Sequence, residues 1–261
     1  MEKGLEAGRL TLSVIVITKN EAAHIRACLD SVAFADEVIV LDSGSADDTV
    51  ALAGQWGARV VQTPDWPGFG PQKNRALELA RCDWVLSLDA DERVTPELAA
   101  EIQALLRHPG HDAYRVARLS ELCGRQIRHS GWWPDHVLRL FRRGTARFTE
   151  AAVHEKVVTQ GSVGTLRHHL LHFPYPDLES LIAKANRYST DAAAMMYARG
   201  KRCGPLGMLG HGIWTFIRIY FLRRGFLDGR QGLVLALFAA SGSIFRYAKL
   251  MLFEQTRKGG T

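Results

Sequence analysis

A chain of 261 residues, 47% hydrophobic and 23% charged, has the length and make-up of a globular protein with one large α/β domain and an appendage. Its formal charge of +6 is unevenly placed: residues 1–198 carry 22 Lys and Arg against 25 Asp and Glu, residues 199–261 carry 11 against 2. The basic tail is interleaved with Leu, Ile, Phe, Trp and Met, which argues for an anionic membrane surface and against nucleic acid, while Cys28, Cys82, Cys123 and Cys203 form no C-x-x-C pair and exclude a zinc or dithiol centre of that spacing.

The polar start Met1-Glu2-Lys3-Gly4 leads soon into a strand-like run, so no secretory signal is expected and the first domain should stay in the cytoplasm. That run, Leu12 to Ile17, is β-branched and continuous, as a strand covered on both faces requires, and Thr18-Lys19-Asn20-Glu21 ends it. Ile25, Cys28, Leu29 and Val32 then repeat at helical spacing. A second strand, Glu37 to Leu41, runs into Asp42-Ser43-Gly44-Ser45, and Asp47 is placed to cap the helix carrying Val50, Ala53 and Trp56. Ala58 to Val61 predicts a third strand, Gln72 to Arg81 a helix, and Asp83 to Leu88 a fourth strand; Thr95, Pro96 and Glu97 open a further helix to about Leu106. Strand alternating with helix four times predicts a mostly parallel sheet. Beyond His108 come short strand-like pieces, Ala113 to Leu119, His136 to Arg142, Val153 to Thr159 and Thr165 to Phe173, with a turn at Gly131-Trp132-Trp133-Pro134. Asp177 caps a helix to about Arg199. Two apolar segments follow, Pro205 to Leu222 and Leu233 to Phe253, each read as too interrupted by charge to span a membrane comfortably.

Three strand ends carry polar clusters on one rim: Thr18 to Glu21, Asp42 to Ser45, and Asp89 to Glu92. In an open parallel sheet ligands collect beyond the carboxyl ends of strands. Asp89-Ala90-Asp91 follows the apolar run Trp84 to Leu88, and two carboxylates so spaced can hold a divalent cation that neutralises a diphosphate.

Val14 to Glu21 (V-I-V-I-T-K-N-E), Leu41 to Thr49 (L-D-S-G-S-A-D-D-T), Gly70 to Ala76 (G-P-Q-K-N-R-A) and Leu88 to Glu92 (L-D-A-D-E) resemble the nucleotide-sugar domain of family 2 glycosyltransferases, which have the Rossmann-like GT-A fold. The remainder, with Trp132-Trp133-Pro134, Arg139-Leu140-Phe141-Arg142, His154-Glu155 and Gly225-Phe226-Leu227-Asp228-Gly229, resembles the bacterial lipopolysaccharide inner-core β-1,4-glucosyltransferases that modify heptose. The resemblance implies three parts: a nucleotide-sugar half over 1–110, an acceptor-binding and catalytic half over 111–176, and a membrane-associating helical extension over 177–261. It implies an inverting enzyme that moves a hexose, glucose from UDP-glucose, onto a heptose of the lipopolysaccharide core at the cytoplasmic face of the bacterial inner membrane, attached peripherally or monotopically. Thr18, Asn20, Glu21 and Asp42 would edge nucleobase and ribose, with helix capping as the rival role for Asn20. Lys73 would reach the diphosphate, with Arg75 a weaker candidate. Asp89 would lie at the ribose and metal edge, and Asp91 would ligate Mg2+ or Mn2+ directly.

Inversion with an activated donor needs a single base. Glu155 is the candidate and Glu150 the reserve, because strand alternation sets Glu155 on the apolar face with Val153 and Val157. Trp132 and Trp133 would stack on a sugar, with core packing as the rival role, Arg139, Arg142 and Arg143 would meet acidic acceptor groups, and His154 would position the acceptor or join the metal. His168, His169 and His172 read as structural. The rival readings are a transferase acting on polyprenyl phosphate or another surface polysaccharide, a nucleotide-binding scaffold without catalysis, and a nucleic-acid binder using the tail; the aromatic spacing gives the last little support.

Overall fold

In the computed structural model the described residues are 9–150, 155–175 and 177–258. They form two units, residues 9–118 with 135–172 and residues 119–134 with 173–258.

The first unit is built on Leu12–Thr18 (β1), every residue of which is buried. Val14 and Val16 face a core shared with Ile25, Leu29, Leu98 and Ile102, while Ile15 and Ile17 face another with Ile39, Leu41, Ala76 and Phe141. Both faces of the strand are therefore apolar, and no alternation shows in its sequence. Ala22–Asp30 (α1), Glu37–Asp42 (β2), Thr49–Trp56 (α2), Arg59–Gln62 (β3), Phe69–Leu79 (α3), Trp84–Asp89 (β4), Glu92–Val94 (β5) and Pro96–Leu105 (α4) follow. Strands β3-β2-β1-β4 are parallel neighbours, the sheet that the strand-helix alternation predicts. In register, Thr18 lies beside Asp42, and Ile17 is flanked by Leu41 and Asp89, so three strands end at one rim. The start of α4 is as expected: Thr95 Oγ1 accepts from Leu98 N at 3.2 Å, and Pro96 fills the first turn, where no amide partner is needed.

The chain continues through Ala113–Leu122 (β6), Arg125–Gln126 (β7), Asp135–Arg142 (β8), Ala146–Phe148 (β9), Val157–Thr159 (β10) and Val163–His172 (β11). These extend the sheet in the order β4-β8-β6-β11-β5, with β8 antiparallel to both β4 and β6 and with His172 of β11 opposite Glu92. A separate ribbon of β9 and β10 is pinned to α3 by Asn74, whose amide donates to Phe148 O and accepts from Phe148 N, both at 2.9 Å. The strand expected over Val153 to Thr159 begins only at Val157, and residues 151–154 lie outside those described.

The second unit holds the short hairpin between the end of β6 and β7 and three helices, Leu178–Ala198 (α5), Pro205–Ile217 (α6) and Gly229–Lys258 (α7). Asp177 caps α5, its Oδ1 accepting from Ser180 N at 2.7 Å. A wide turn over Arg218–Leu222 and a tight one over Gly225–Asp228 join α6 to α7. Helix α7 packs on both other helices. At Gly212 the approach of α6 is so close that a Cβ would sit 2.5 Å from Ile244 Cγ1. Lys249 of α7 donates to Asn186 O, Asn186 Oδ1, Ser189 Oγ and Thr190 Oγ1 of α5 at 2.7–3.0 Å, so four oxygens satisfy its ammonium without a carboxylate. The reading of the last apolar segment as short and interrupted is corrected. Gly225–Phe253, 29 residues, is long and apolar enough to cross a membrane, because Arg246 and Lys249 lower the hydropathy locally without ending the helix. Leu206, Ile213, Trp214, Phe221, Leu222, Leu237 and Phe245 are exposed on these helices and turns.

Candidate active site

The rim begins with the loops after β1 and β2. Asp42 is fully buried: Oδ1 accepts from Gly44 N at 3.0 Å and Ser45 N at 2.9 Å, and Oδ2 accepts from Thr18 Oγ1 at 3.1 Å and from Ser45 Oγ. This Asx turn uses the carboxylate to build the loop, so Asp42 shapes the rim from behind. Asn20 has a left-handed backbone, φ 58°, and does not cap α1. Instead its Oδ1 accepts from Ala46 N and its own N–H donates to Ser45 Oγ, both at 2.8 Å. Asp47 serves two helix starts, accepting from Thr49 N at 3.1 Å and from Ala22 N at 3.0 Å. The two loops are knitted together by these bonds. Glu21 stands among them half-buried; burial, then the charges of Asp91, Asp47 and Asp89, push its carboxyl from 4.5 up to about 7 against the opposing pull of Arg93.

The acidic stretch after β4 is wired into a line of charges. Lys73 of α3, only 2% exposed, sets Nζ 2.8 Å from Asp89 Oδ1 and 2.6 Å from Glu155 Oε1. Arg139 of β8 pairs with Asp89 Oδ2 and, at 2.6 Å, with Glu92 Oε1; Arg118 of β6 reaches the same Glu92 oxygen at 3.3 Å and also meets Asp135. Glu155, Lys73, Asp89, Arg139, Glu92, Arg118 and Asp135 thus alternate in sign. Glu92 is fully buried and its second oxygen accepts from Asp89 N at 3.0 Å, fixing the turn that carries Asp91. Charges this deep persist when paired, and here each is, although the buried Nε of Arg139 has no hydrogen-bond partner among the described residues. Burial alone would raise the Asp89 carboxyl, yet Arg139 and Lys73 outweigh it and hold the group well below the usual carboxylate range. Burial would likewise lower Arg139, and Asp89 with Glu92 more than reverse that.

Asp91 is placed differently. It is partly exposed, and His172 Nε2 at the end of β11 lies 3.5 Å from its Oδ2. Among the described residues no three His, Cys, Asp or Glu side chains are grouped to hold a metal by themselves. The carboxylate oxygen and imidazole nitrogen of this pair do fit a divalent cation that draws its other ligands from a diphosphate and water.

Of the residues singled out in the sequence, Thr18, Asn20, Glu21, Asp42, Lys73, Asp89, Asp91 and Glu155 lie on this rim or are bonded to it. Glu155 precedes β10 in an irregular segment, so the alternation argument that put it on a strand face does not apply; what positions it is Lys73. Glu150 is exposed. Arg139 is corrected from an acceptor contact to a buried counter-ion, since Asp89 and Glu92 engage its guanidinium. Arg142 is corrected as well: it pairs with Trp84 at the opposite end of β4, its guanidinium 5.6 Å from the Trp84 ring, roughly 17 Å of strand away from Asp89. Arg143 donates to Cys82 O at 2.7 Å near that end, and Arg75 is held by Asp65 through bonds of 2.9 and 2.8 Å. Trp132, half-buried, packs in the second unit with Leu122, Ile127, Leu181, Leu235 and Tyr175, and Trp133 belongs to the same unit. His154 lies outside the described residues.

Three residues escaped the sequence reading of the site. Gln72, fully buried, donates to Ser43 Oγ at 3.0 Å and Thr63 Oγ1 at 2.7 Å, tying α3 to the loop after β2. Arg118 could have been found from Val116-Ala117-Arg118-Leu119, where a charge inside an apolar strand demands a buried partner. His172 reads as structural from the sequence, and only the closing of the sheet brings it to Asp91.

Residues 13–160 match the family model described as glycosyl transferase family 2. An uncharacterized glycosyltransferase of Rickettsia felis is 34% identical over 256 residues, covering 92% of this chain and 89% of that one. The lipopolysaccharide core biosynthesis glycosyltransferase LpsC of Rhizobium meliloti is also 34% identical, over 260 residues that cover 92% of this chain and 94% of that one. Among solved structures, S. aureus TarS 1-349 aligns with a TM-score of 0.50 across 96% of this chain and 92% of its own at 16% identity, which is a likeness of fold.

Proposed function

Because this chain belongs to glycosyl transferase family 2 and is a glycosyltransferase of GT-A fold, we propose that it transfers a hexose, glucose from UDP-glucose, onto a heptose of the lipopolysaccharide inner core with inversion. The similarity to LpsC supports a core acceptor. One observation carries the chemistry: Lys73 bridges Asp89 and Glu155 at the mouth of the parallel sheet. A diphosphate entering there competes with both carboxylates for the ammonium.

In this mechanism the loops built by Thr18, Asn20 and Asp42 frame the nucleoside, and Glu21 faces the sugar hydroxyls. Lys73 turns to the diphosphate as a point charge. Glu155, released from it, becomes the proton acceptor for the incoming hydroxyl on the face opposite the leaving group. Asp89 stays with Arg139 and holds the turn, while Asp91 and His172 are the residues that would hold Mg2+ or Mn2+. Such an ion, when bound, stabilises the charge on the departing diphosphate. The second unit attaches the enzyme to the anionic cytoplasmic face of the inner membrane. The reading there is a monotopic one, because Lys249 is satisfied by α5, a helix that also carries Glu179, Arg187 and Asp191 and would enter hydrocarbon only at high cost.

The test is transfer by purified protein from UDP-glucose to lipopolysaccharide core extracted from a strain lacking the enzyme, followed by mass spectrometry, with polyprenyl phosphate as a parallel acceptor. Addition of one hexose to the core heptose is expected. Product on polyprenyl phosphate alone would replace the acceptor, and product with another nucleotide sugar alone would replace the donor.

A further inference from the structure

The turn that joins α6 to α7 is built more firmly than a connector requires. Asp228 is 2% exposed and accepts from four donors: Arg128 N and His129 N at 3.1 Å, His129 Nδ1 at 3.1 Å, and Ser130 Oγ at 2.7 Å. Ser130 N in turn donates to Arg223 O at 2.9 Å. Gly225 and Gly232 meet so closely that a Cβ on Gly232 would lie 1.9 Å from Gly225 O. Arg224 has a left-handed backbone at φ 53°, a conformation that a side chain of its kind keeps only where the surroundings enforce it. Two segments nearly 100 residues apart are thereby locked into one surface.

That surface presents Arg125, Arg128, Arg223, Arg224 and Arg230, all exposed, beside exposed Phe221, Leu222, Phe226 and Leu227. The guanidinium of Arg125 donates to Leu227 O at 3.1 Å, and that of Arg223 lies directly against Gly131. Among the described residues none of these five arginines is paired with a carboxylate, since Asp228 is occupied by the loop. The imbalance extends to the whole unit: residues 119–134 and 173–261 contain 15 Lys and Arg against 6 Asp and Glu, whereas the rest of the chain contains 18 against 21.

We propose that this Asp228-locked turn is a docking surface for the phosphate headgroups of an anionic bilayer, with Phe221, Leu222, Phe226 and Leu227 entering the acyl boundary and the five arginines taking the phosphates. The proposal rests on the membrane reading above and assigns it to a site that includes Arg125 and Arg128, which lie far from the tail in sequence. Guanidinium forks match phosphate oxygens, and apolar groups at the same level convert a charge contact into an interfacial one.

The experiment is flotation of the full chain with vesicles of phosphatidylcholine, or of phosphatidylcholine with phosphatidylglycerol, compared with a variant carrying Arg128→Gln, Arg224→Asn and Arg230→Gln. Asn is chosen at 224 because it tolerates the left-handed backbone, and an unchanged melting temperature serves as the folding control. The full chain is expected to float with the anionic vesicles and poorly with the neutral ones. The variant should lose about a hundredfold in partitioning, close to fivefold per arginine. Soluble glycerol phosphate at matched phosphate concentration should not strip the protein. Equal flotation of variant and parent overturns the inference alone, and stripping by glycerol phosphate replaces the bilayer with a free-phosphate site. No flotation of the parent with either vesicle overturns the membrane reading as well. None of these readouts depends on sugar transfer.

Discussion

Asp91 is the carboxylate of the acidic stretch that no cation of the charge line engages, and it should be the most sensitive residue to replace. Asp91→Asn is expected to reduce turnover by several orders of magnitude while leaving the melting temperature within about 2 °C, because the side chain is partly exposed and no cation of the charge line depends on it. Near-normal transfer by this variant in excess chelator would remove the metal role. Glu155→Gln should bind UDP-glucose at least as tightly, since Lys73 loses one competing carboxylate, and should lose kcat; a change confined to the donor KM would move the base elsewhere, to Glu150 first. Glu21 makes a pH prediction. Its folded pKa is raised, so the stability it contributes is full below about 4.5 and is lost as pH rises through about 7. In chelated protein the melting temperature of Glu21→Gln should therefore fall less than that of the parent between pH 5 and pH 8; parallel curves would show that the carboxyl does not titrate there. At this scale the sequence was readable where chemistry is local. Asp89 and Asp91 announce themselves by ending an apolar strand, whereas Arg139 could not be assigned because its partners lie 50 and 47 residues away.

Elements announced themselves when one residue type had one local use. Thr95 and Asp177 were legible as caps because the accepting oxygen lies three residues before its donor, and Thr95→Ala should cost about 1 kcal/mol in urea unfolding. Asp47 was legible at the start of α2 through Thr49, though not its second bond to Ala22, 25 residues away, and Asn20 misled because its partner Ala46 lies across a loop, 26 residues away. The four parallel strands were visible as apolar runs. The late strands were blurred, since β10 and β9 are three residues each and are fixed by Asn74 of a distant helix. The join of α6 and α7 was legible only as a glycine-rich motif, with no sign of its packing. Gly232→Ala should lower unfolding free energy by about 1–3 kcal/mol, since the new methyl meets backbone that has no room to yield. A loss below about 0.3 kcal/mol in urea denaturation would mean that the turn relaxes freely.

For the molecule as a whole, the test of attachment is what releases it. A peripherally attached protein should leave isolated inner membranes in alkaline carbonate, while one anchored by a spanning α7 should stay in the pellet. Truncation after Arg202 should abolish flotation with anionic vesicles, and equal flotation of a truncated, still folded chain would transfer the attachment to the first unit. The length and apolarity of α7 taken alone favour spanning. The ammonium of Lys249, held by oxygens of α5, favours the other outcome. That contact also has an order in time. Asn186 precedes Lys249 by 63 residues, which at about 5–20 residues per second means that α5 is synthesised roughly 3–13 s before its partner lysine exists. A helix of this length forms within about a microsecond. On the monotopic reading proposed above, the nascent chain would present α5 as an acceptor before α7 is complete, and α7 would meet its own protein ahead of the insertion machinery.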